Sequence, residues 1–223
     1  MLQVSADVRR ETHFMAKSRE KIQQIGFWDD QVVSIDHDAV CLWAYENADT
    51  ILRRVCPDLF DRPWRSEDID RNSDEHRSLI KAFIDENPRP NPHIVRRTIE
   101  YVLRSYTGYR DSLERIVGYA DVLIDTAVPR ISPTYDDSRS QSYDSPVNGF
   151  EIVWNSERWN APRILVEAKS VLPTVGELMR QIQLYRTAFN GHFVVVSPDD
   201  SYAEILAEQN VSFIQYPGVK ARA

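Results

Sequence analysis

The stretch that decides the fold is Ile164-Leu165-Val166-Glu167-Ala168-Lys169, an apolar run that ends in two charges. A short, continuous apolar run is typical of a strand that is buried on both faces of its sheet. Glu167 and Lys169 are two positions apart and therefore share one face at the end of this strand. Burying both charges costs free energy unless something compensates them, and a divalent metal would compensate the carboxylate. The alternative is that the strand ends at Val166 and both charges are solvated.

A second acid, Asp121, favours the buried interpretation. The sequence from Arg115 to Val128 alternates as a strand does, and Asp121 lies in its middle, where turn chemistry does not explain an aspartate. On neighbouring strands, Asp121 and Glu167 can bind Mg²⁺ together, with the Ala168 carbonyl as a further oxygen ligand. Asp125, on the same face but nearer the strand end, is the alternative ligand; it also fits the point where the strand reaches the surface.

The first ninety residues predict a helical region that precedes an α/β domain. Asn87-Pro88-Arg89-Pro90-Asn91-Pro92 interrupts the helical pattern, because proline lacks the amide hydrogen and restricts the residue before it. We therefore expect a helical N-terminal region at 1–90 and a second domain at 91–223. The helices expected in the first region are Ala6–Ile25, a stretch that begins after Asp36 or Asp38 and stops at Pro57, and Ser73–Asp85.

The second region predicts a helix, three strands, a helix, a strand, and then an added helix and strand. The expected elements are a helix at Asn91–Tyr106, strands at Arg115–Val128, Phe150–Trp154 and Arg163–Ala168, a helix at Val175–Asn190, a strand at Phe193–Ser197, a helix at Asp199–Gln209 and a strand at Val211–Tyr216. The segment Ile131–Gly149 is rich in Ser, Pro, Asp and Asn and predicts a long exposed loop. This order is typical of an α/β fold whose sheet is covered on both faces.

Three short motifs occur in order along these elements. They are Gly118-Tyr119-Ala120-Asp121, Glu167-Ala168-Lys169 and Gln181-Ile182-Gln183-Leu184-Tyr185. Together they resemble the PD-(D/E)XK nuclease superfamily, and the Gln-x-x-x-Tyr element is similar to that of its RecB-type branch, which includes exonucleases and CRISPR-associated nucleases. The resemblance covers about residues 91–197 and implies a restriction-endonuclease-like αβββαβ core with a central mixed sheet flanked by helices. The sequence departs from the family pattern in lacking a proline directly before Asp121 and in its long insert between Asp121 and Glu167.

The resemblance also implies a role for individual residues. It implies hydrolysis of phosphodiester bonds, expected in DNA, by a water that Mg²⁺ activates, with Mn²⁺ as a substitute. Asp121 and Glu167 match the metal-binding acids of the family, and Lys169 matches its catalytic lysine. Gln181 and Tyr185, one helical turn apart, match the pair that contacts the active site and the nucleic acid. From the residues alone, Tyr185 also fits core packing, and Gln181 fits an exposed helix face.

Many members of this superfamily carry a further acid or a histidine on the helix before the first strand. On the helix predicted at Asn91–Tyr106, Glu100 matches this position best and His93 is second, so we expect Glu100 to support the metal. The arginines of this segment are expected on a solvated face with salt bridges. The remaining histidines have no ligand spacing and are expected at the surface or as helix caps: His13, His37, His76 and His192.

Composition sets further limits on the function. The net charge of −7 does not by itself indicate nucleic-acid binding, although local Lys and Arg can bind phosphates and clustered metal-binding acids lower the total. Cys41 and Cys56 match no zinc spacing and predict reduced core thiols. The sequence has no secretory signal and no apolar run of membrane-spanning length, so we expect a cytoplasmic protein without a membrane partner. A homo-oligomer stays open.

Three functions of different classes follow from these observations. The favoured one is a metal-dependent deoxyribonuclease, with endonuclease and exonuclease activity both open. The first alternative is a catalytically silent nuclease-like module that binds nucleic acid or a protein partner. A silent module has no reason to keep three charges at buried positions, which argues against it. The second alternative is an unrelated α/β binding domain in which the motif match is accidental.

Overall fold

A computed structural model describes residues 36–69, 76–107, 113–135, 147–157 and 159–218. The chain is mixed α/β. Its helices are α1 (His37–Glu46), α2 (Ala48–Val55), α3 (Arg77–Glu86), α4 (Val175–Arg186) and α5 (Ala203–Glu208), with short 3₁₀ turns at Pro57–Leu59 and Ser66–Asp68. Its strands are β1 (His93–Thr107), β2 (Leu113–Tyr135), β3 (Val147–Asn155), β4 (Arg163–Ala168), β5 (His192–Ser197) and β6 (Ser212–Gln215). The helix predicted at Ala6–Ile25 lies outside the described residues.

The six strands form one mixed sheet; a mixed sheet was predicted, with five strands. Along the sheet the order is β1-β2-β4-β5-β6, and β3 pairs with β2 beside this path. β3 runs antiparallel to β2, whereas β5 and β6 are parallel. The pairing of β2 with β4 confirms that the strands of Asp121 and Glu167 are neighbours. This adjacency was the condition for the two acids to act together.

Contacts between residues divide the chain into two compact units. The first contains the described residues of Met1–Glu46, Thr98–Leu123 and Leu165–Ala223. The second contains those of Asn47–Arg97 and Ile124–Ile164. The boundary expected at residue 90 rests on the local proline pattern and stays a prediction.

In the first unit, α4 is held against the sheet by an apolar core. Leu178 and Ile182 of this helix are buried with Leu165 of β4 and Val195 of β5. A capping box fixes the start of the helix: the Thr174 hydroxyl accepts from the Glu177 amide, and the Glu177 carboxylate accepts from the Thr174 amide. The cap and the core together set the orientation of α4, which carries Gln181 and Tyr185.

In the second unit, three charged side chains are buried together around one carboxylate. The Asp68 carboxylate accepts from the guanidinium groups of Arg62 and Arg89. The three side chains are 7%, 9% and 1% exposed, respectively. Removing one partner of such a group typically costs about 3–5 kcal/mol, because it leaves a buried charge uncompensated. This cluster ties the 3₁₀ turn at Ser66–Asp68 to the segment before β1.

The segment 93–107 is a strand, so the helix predicted at Asn91–Tyr106 is wrong. Asn91-Pro92 fits a helix start, but the sequence that follows is rich in β-branched and aromatic residues, which favour a pleated strand. Its apolar residues also match a helical spacing, and a pattern of this length does not distinguish the two structures. A paired position on the sheet edge next to β2 decides the outcome.

The long loop predicted at Ile131–Gly149 is wrong at both of its ends. β2 continues to Tyr135, and β3 begins at Val147 and pairs with it. Ile131 is completely buried. Only residues 136–146 of this segment lie outside the description. The polar composition did not indicate a strand, because this part of β2 is held by pairing with β3 rather than by an apolar pattern of its own.

Two further expectations concern the cysteines and membrane spans. Cys41 and Cys56 are both buried and free, as predicted. Among the described helices, none is both long and apolar enough to cross a membrane.

Candidate metal and active site

The site begins with Asp121 in the middle of β2. Its Oδ2 accepts a hydrogen bond of 2.7 Å from the backbone amide of Ala168 on β4. Its Oδ1 lies 3.3 Å from Nε2 of His37 on α1. A carboxylate oxygen thus takes the place of a backbone acceptor for Ala168, which explains how an aspartate can occupy a central strand. The role of the Ala168 carbonyl as a metal ligand stays a prediction.

Glu167 and Lys169 lie beside Asp121, at the carboxyl end of β4. Nζ of Lys169 donates to Oε1 of Glu167 over 2.5 Å. The side chains of Glu167 and Lys169 are only 8% and 17% exposed, so the alternative of two solvated charges does not hold. Oε2 of Glu167 is buried and has no hydrogen-bond partner among the described residues. A buried carboxylate oxygen without a donor is costly, and a cation would remove that cost.

Gln181 and Tyr185 on α4 are joined to Glu167 by a short chain of hydrogen bonds. Nε2 of Gln181 donates to Oε1 of Glu167 at 2.6 Å and to Oη of Tyr185 at 2.7 Å. Oη of Tyr185 donates in turn to the carbonyl of Tyr119 on β2 at 2.6 Å. Tyr185 is also buried in the apolar core, so packing and hydrogen bonding both hold it. The chain connects α4, β2 and β4 and fixes the orientation of the Glu167 carboxylate.

Gly118 explains why the Tyr185 ring can approach β2. A Cβ atom at this position would lie 2.7 Å from Cε1 of Tyr185, closer than real side chains approach. The ring therefore occupies the space that any other residue at 118 would need. The Gly-Tyr-Ala-Asp motif thus has a structural meaning, because the glycine admits the ring and the aspartate lies three residues later.

Burial and neighbouring charges shift the pKa values of Glu167, Asp121 and Lys169. Burial, reinforced by the nearby charge of Asp121, raises the pKa of Glu167 to about 7. Burial alone would also raise the pKa of Asp121, but the hydrogen bond from His37 and the charge of Lys169 lower it below its usual value. Burial would lower the pKa of Lys169, yet the charges of Glu167 and Asp121 raise it. At neutral pH the site holds a cationic lysine, an ionised Asp121 and a Glu167 that is only partly ionised.

His37 is a site residue that the sequence pattern did not reveal. We expected it at the surface or as a cap, yet it is the first residue of α1 and contacts Asp121. Burial would lower the pKa of His37, but the hydrogen bond to Asp121 and the charge of that carboxylate raise it. Sγ of Cys41, one helical turn further along α1, lies 3.3 Å from Nε2 of His37. The available signal was the i, i+4 spacing of a histidine and a cysteine on one helix.

Glu100 and His93 are not placed as predicted. Both belong to β1, so the helical face on which they were assigned to the metal does not exist. Glu100 has a φ of 51°, in the left-handed region that non-glycine residues rarely adopt. The His93 ring packs edge-on against Trp154, with ring centroids 4.2 Å apart. The histidine that a helix supplies to Asp121 is His37.

Asp125, the alternative ligand, has cationic partners. Arg96 donates to its Oδ2 at 2.6 Å and Arg163 to its Oδ1 at 2.6 Å. Both carboxylate oxygens are therefore used in salt bridges inside the second unit.

The prediction that arginines of segment 93–107 form salt bridges is confirmed by Arg96 and also by Arg97 and Arg104.

The residues of this site fit a divalent metal. Asp121 and Glu167 offer carboxylate oxygens, and Oε2 of Glu167 lacks any other partner in the described part of the chain. Hard oxygen ligands of this kind suit Mg²⁺, which binds through one or two carboxylates plus waters and substrate phosphates. The imidazole of His37 adds a ligand that suits Mn²⁺ and later transition metals better than Mg²⁺.

No family model matches this chain, and no curated protein or solved structure is detectably similar to it. The chemistry of the site therefore carries the functional argument.

Proposed function

We propose that this protein is a metal-dependent nuclease that hydrolyses phosphodiester bonds, with DNA as the expected substrate. The observation that carries the proposal is the buried, unpartnered Oε2 of Glu167, next to Asp121 and the ammonium of Lys169. Two acids and a lysine at adjoining strands match the site that the PD-(D/E)XK resemblance implies. The restriction-endonuclease-like core belongs to this proposal, whereas the mixed α/β sheet is independent of it.

Asp121 and Glu167 would hold the metal, with His37 as a further ligand. A bound Mg²⁺ would supply a water of lowered pKa and would neutralise charge on the phosphate. Lys169 remains cationic and can donate hydrogen bonds to the phosphate or to the attacking water, which stabilises the negative charge that develops there. Gln181 keeps the Glu167 carboxylate in place by donating to its Oε1.

Tyr119 lies two residues before Asp121, on the same face of β2. It is 55% exposed, and its own carbonyl accepts from Tyr185. An exposed aromatic ring beside an acidic metal site provides a surface on which a base can stack, a contact worth about 1–3 kcal/mol per base. This arrangement supports a nucleic acid as the substrate over a small phosphate ester.

The experiment is a cleavage assay with Mg²⁺ and with Mn²⁺ on linear, circular and single-stranded DNA, with RNA as a further substrate. We expect metal-dependent cleavage that chelation stops and that Asp121→Asn abolishes. Cleavage of circular DNA would indicate an endonuclease, and cleavage of linear DNA alone an exonuclease. Binding of DNA without cleavage by either metal would overturn the proposal in favour of the silent module.

A further inference from the structure

Three side chains with different donor atoms meet where α1 begins. Nε2 of His37 lies 3.3 Å from Oδ1 of Asp121 and 3.3 Å from Sγ of Cys41. All three donor atoms lie within 4.8 Å of one another. His37 and Cys41 are one turn apart on α1, so the helix presents the imidazole and the thiol on one side. In the described part of the chain, this is the one such cluster of histidine, cysteine and acidic donors.

The spacing of these atoms suits a tetrahedral zinc ion. Zn²⁺ binds nitrogen at about 2.0–2.1 Å, thiolate sulfur at about 2.3 Å and carboxylate oxygen at about 2.0–2.2 Å. With tetrahedral angles, these bond lengths place the donor atoms about 3.4–3.6 Å apart. The two distances from Nε2 of His37 are within a few tenths of an ångström of that range. Both of these distances fit zinc, and the third, from Sγ of Cys41 to the Asp121 carboxylate, is at most 4.8 Å and would shorten on binding.

We propose that His37, Cys41 and Asp121 form a site for Zn²⁺ or a similar thiophilic divalent cation. Nitrogen and sulfur donors favour zinc strongly over magnesium, which prefers oxygen. On binding, sulfur–zinc and nitrogen–zinc bonds form, and the thiol proton of Cys41 and the proton on Nε2 of His37 pass to solvent, which leaves a neutral imidazole with its proton on Nδ1. The side chains of His37 and Asp121 are 24% and 20% exposed, so water can complete the fourth position.

A second observation indicates that this cluster is short of positive charge. Glu167, which is 6% exposed and lies beside Asp121, has the unpartnered buried Oε2. Asp121 already uses Oδ2 for the Ala168 amide, so Oδ1 is the oxygen it can offer to a metal. Zinc bound through Cys41 and magnesium bound through Glu167 would therefore compete for the same oxygen. The consequence, which rests on the proposed function, is that Zn²⁺ inhibits the Mg²⁺-dependent nuclease.

The first test is a titration of the full-length protein with Co²⁺, which substitutes for zinc and gives a thiolate charge-transfer absorption. We expect this absorption in the wild-type protein and in Cys56→Ser, the matched control, because Cys56 belongs to the second unit. Cys41→Ser should lack the absorption and bind Zn²⁺ at least about 10-fold more weakly, judged from the 10–100-fold effect of losing even an indirect metal partner. An absorption that persists in Cys41→Ser would overturn the proposal.

A second measurement needs no variant and decides the matter if Cys41→Ser does not fold. X-ray absorption of the zinc-loaded wild-type protein should show one sulfur at about 2.3 Å among nitrogen and oxygen ligands. A shell of nitrogen and oxygen alone would mean that Cys41 is a packing residue only.

The inhibition is tested separately from the binding. Cleavage in excess Mg²⁺ is measured with increasing Zn²⁺, and each variant is normalised to its own rate without zinc. The Zn²⁺ concentration for half inhibition should rise at least about 10-fold in Cys41→Ser and stay unchanged in Cys56→Ser. Equal zinc sensitivity of all three proteins would refute the competition. If no protein cleaves DNA in Mg²⁺, the nuclease proposal fails, while the cobalt and X-ray results still decide the zinc site.

Discussion

At the scale of single residues, the two acids of the site differ in how many hydrogen-bond donors their carboxylate oxygens have. Asp121 has donors on both oxygens, whereas Glu167 has two donors on Oε1 and none on Oε2 among the described residues. This difference distinguishes the two acids: the neighbours of Asp121 lower its pKa, whereas the pKa of Glu167 is raised. A divalent cation would favour the ionised form of Glu167 and would give its Oε2 a partner.

The first prediction concerns Lys169. Lys169→Ala should lower the rate of DNA cleavage about 10²–10³-fold, because it removes the cation that stabilises developing negative charge. Mn²⁺ binding, measured by calorimetry, should change far less, since the carboxylates remain. Lys81→Ala is the matched control, as that side chain is 80% exposed on α3. Wild-type turnover by Lys169→Ala would remove the lysine from the catalytic assignment.

The second prediction concerns pH and Glu167. The pKa of this carboxyl rises from 4.5 in the unfolded chain to about 7 in the folded protein. Between these values the folded state binds more protons, so stability falls as pH rises through this window. The raised pKa of His37 acts in the same direction above pH 6.5. Burial lowers the pKa of His192, which acts in the opposite direction below pH 6.5, so the melting temperature of metal-free protein should decrease most clearly from pH 6.5 to pH 8.

The control for this pH effect is Glu167→Gln, which cannot ionise. Its melting temperature should depend less on pH, with the contribution of His37 remaining. Addition of Mg²⁺ at pH 8 should stabilise the wild-type protein and not Glu167→Gln, since a metal that binds only the folded state shifts unfolding by mass action. A flat wild-type profile would contradict the raised pKa.

At the scale of elements, the site depends on how closely α4 approaches β2. The capping box fixes where α4 begins, and the buried Leu178 and Ile182 fix which face meets the sheet. Gly118 then allows the Tyr185 ring to lie against the strand. Because Gly118 has no side chain, α4 lies close enough to β2 for Gln181 to reach Glu167.

The third prediction tests this close approach. Gly118→Ala should destabilise the protein by about 1–3 kcal/mol, as overpacking of a tight core does, because the new methyl group would lie 2.7 Å from the Tyr185 ring. Cleavage should fall as well, since Tyr185 and Gln181 orient Glu167. Gly176→Ala on α4 is the control: nothing lies within 4 Å of its Cβ position, and alanine in a helix is about 0.5–1 kcal/mol more stable than glycine. Equal denaturation midpoints for the two variants would show that the ring has room to move.

At the scale of the whole molecule, two aspartates on β2 have different tasks in different units. Asp121 belongs to the unit that contains α1, α4 and the end of β4, and its neighbours are His37 and the backbone amide of Ala168. Asp125 belongs to the other unit, and its neighbours are Arg96 and Arg163. One strand thus supplies the carboxylate of the proposed metal site and, four residues later, a carboxylate held by two arginines.

The fourth prediction contrasts these two aspartates. Asp121→Asn should lose most Mn²⁺ binding in calorimetry. Asp125→Asn should retain that binding but unfold more easily by about 1.5–3 kcal/mol, because Arg96 and Arg163 lose the negative charge of the carboxylate to which they donate. Both variants keep the side-chain shape, so differences report on charge. Loss of metal binding in Asp125→Asn alone would reverse the assignment of the ligand.

The sequence by itself determined the order and type of the elements from Arg163 onward and the strands that carry Asp121 and Glu167. These elements are short apolar runs, or a capped amphipathic helix, whose patterns are local and have one structural solution. Lys169, Gln181 and Tyr185 were assigned to the site through the family resemblance, because from the residues alone Tyr185 also fits core packing and Gln181 an exposed helix face.

The tertiary structure alone decided the rest. Segment 93–107 became a strand because β2 offers it a hydrogen-bonding edge, and the polar half of β2 was completed by β3. His37 and Cys41 joined Asp121 through the packing of α1, although they lie far apart in the chain. Such contacts depend on which distant segments pair and pack, and the free energy of pairing and packing is not present in any local window of the sequence.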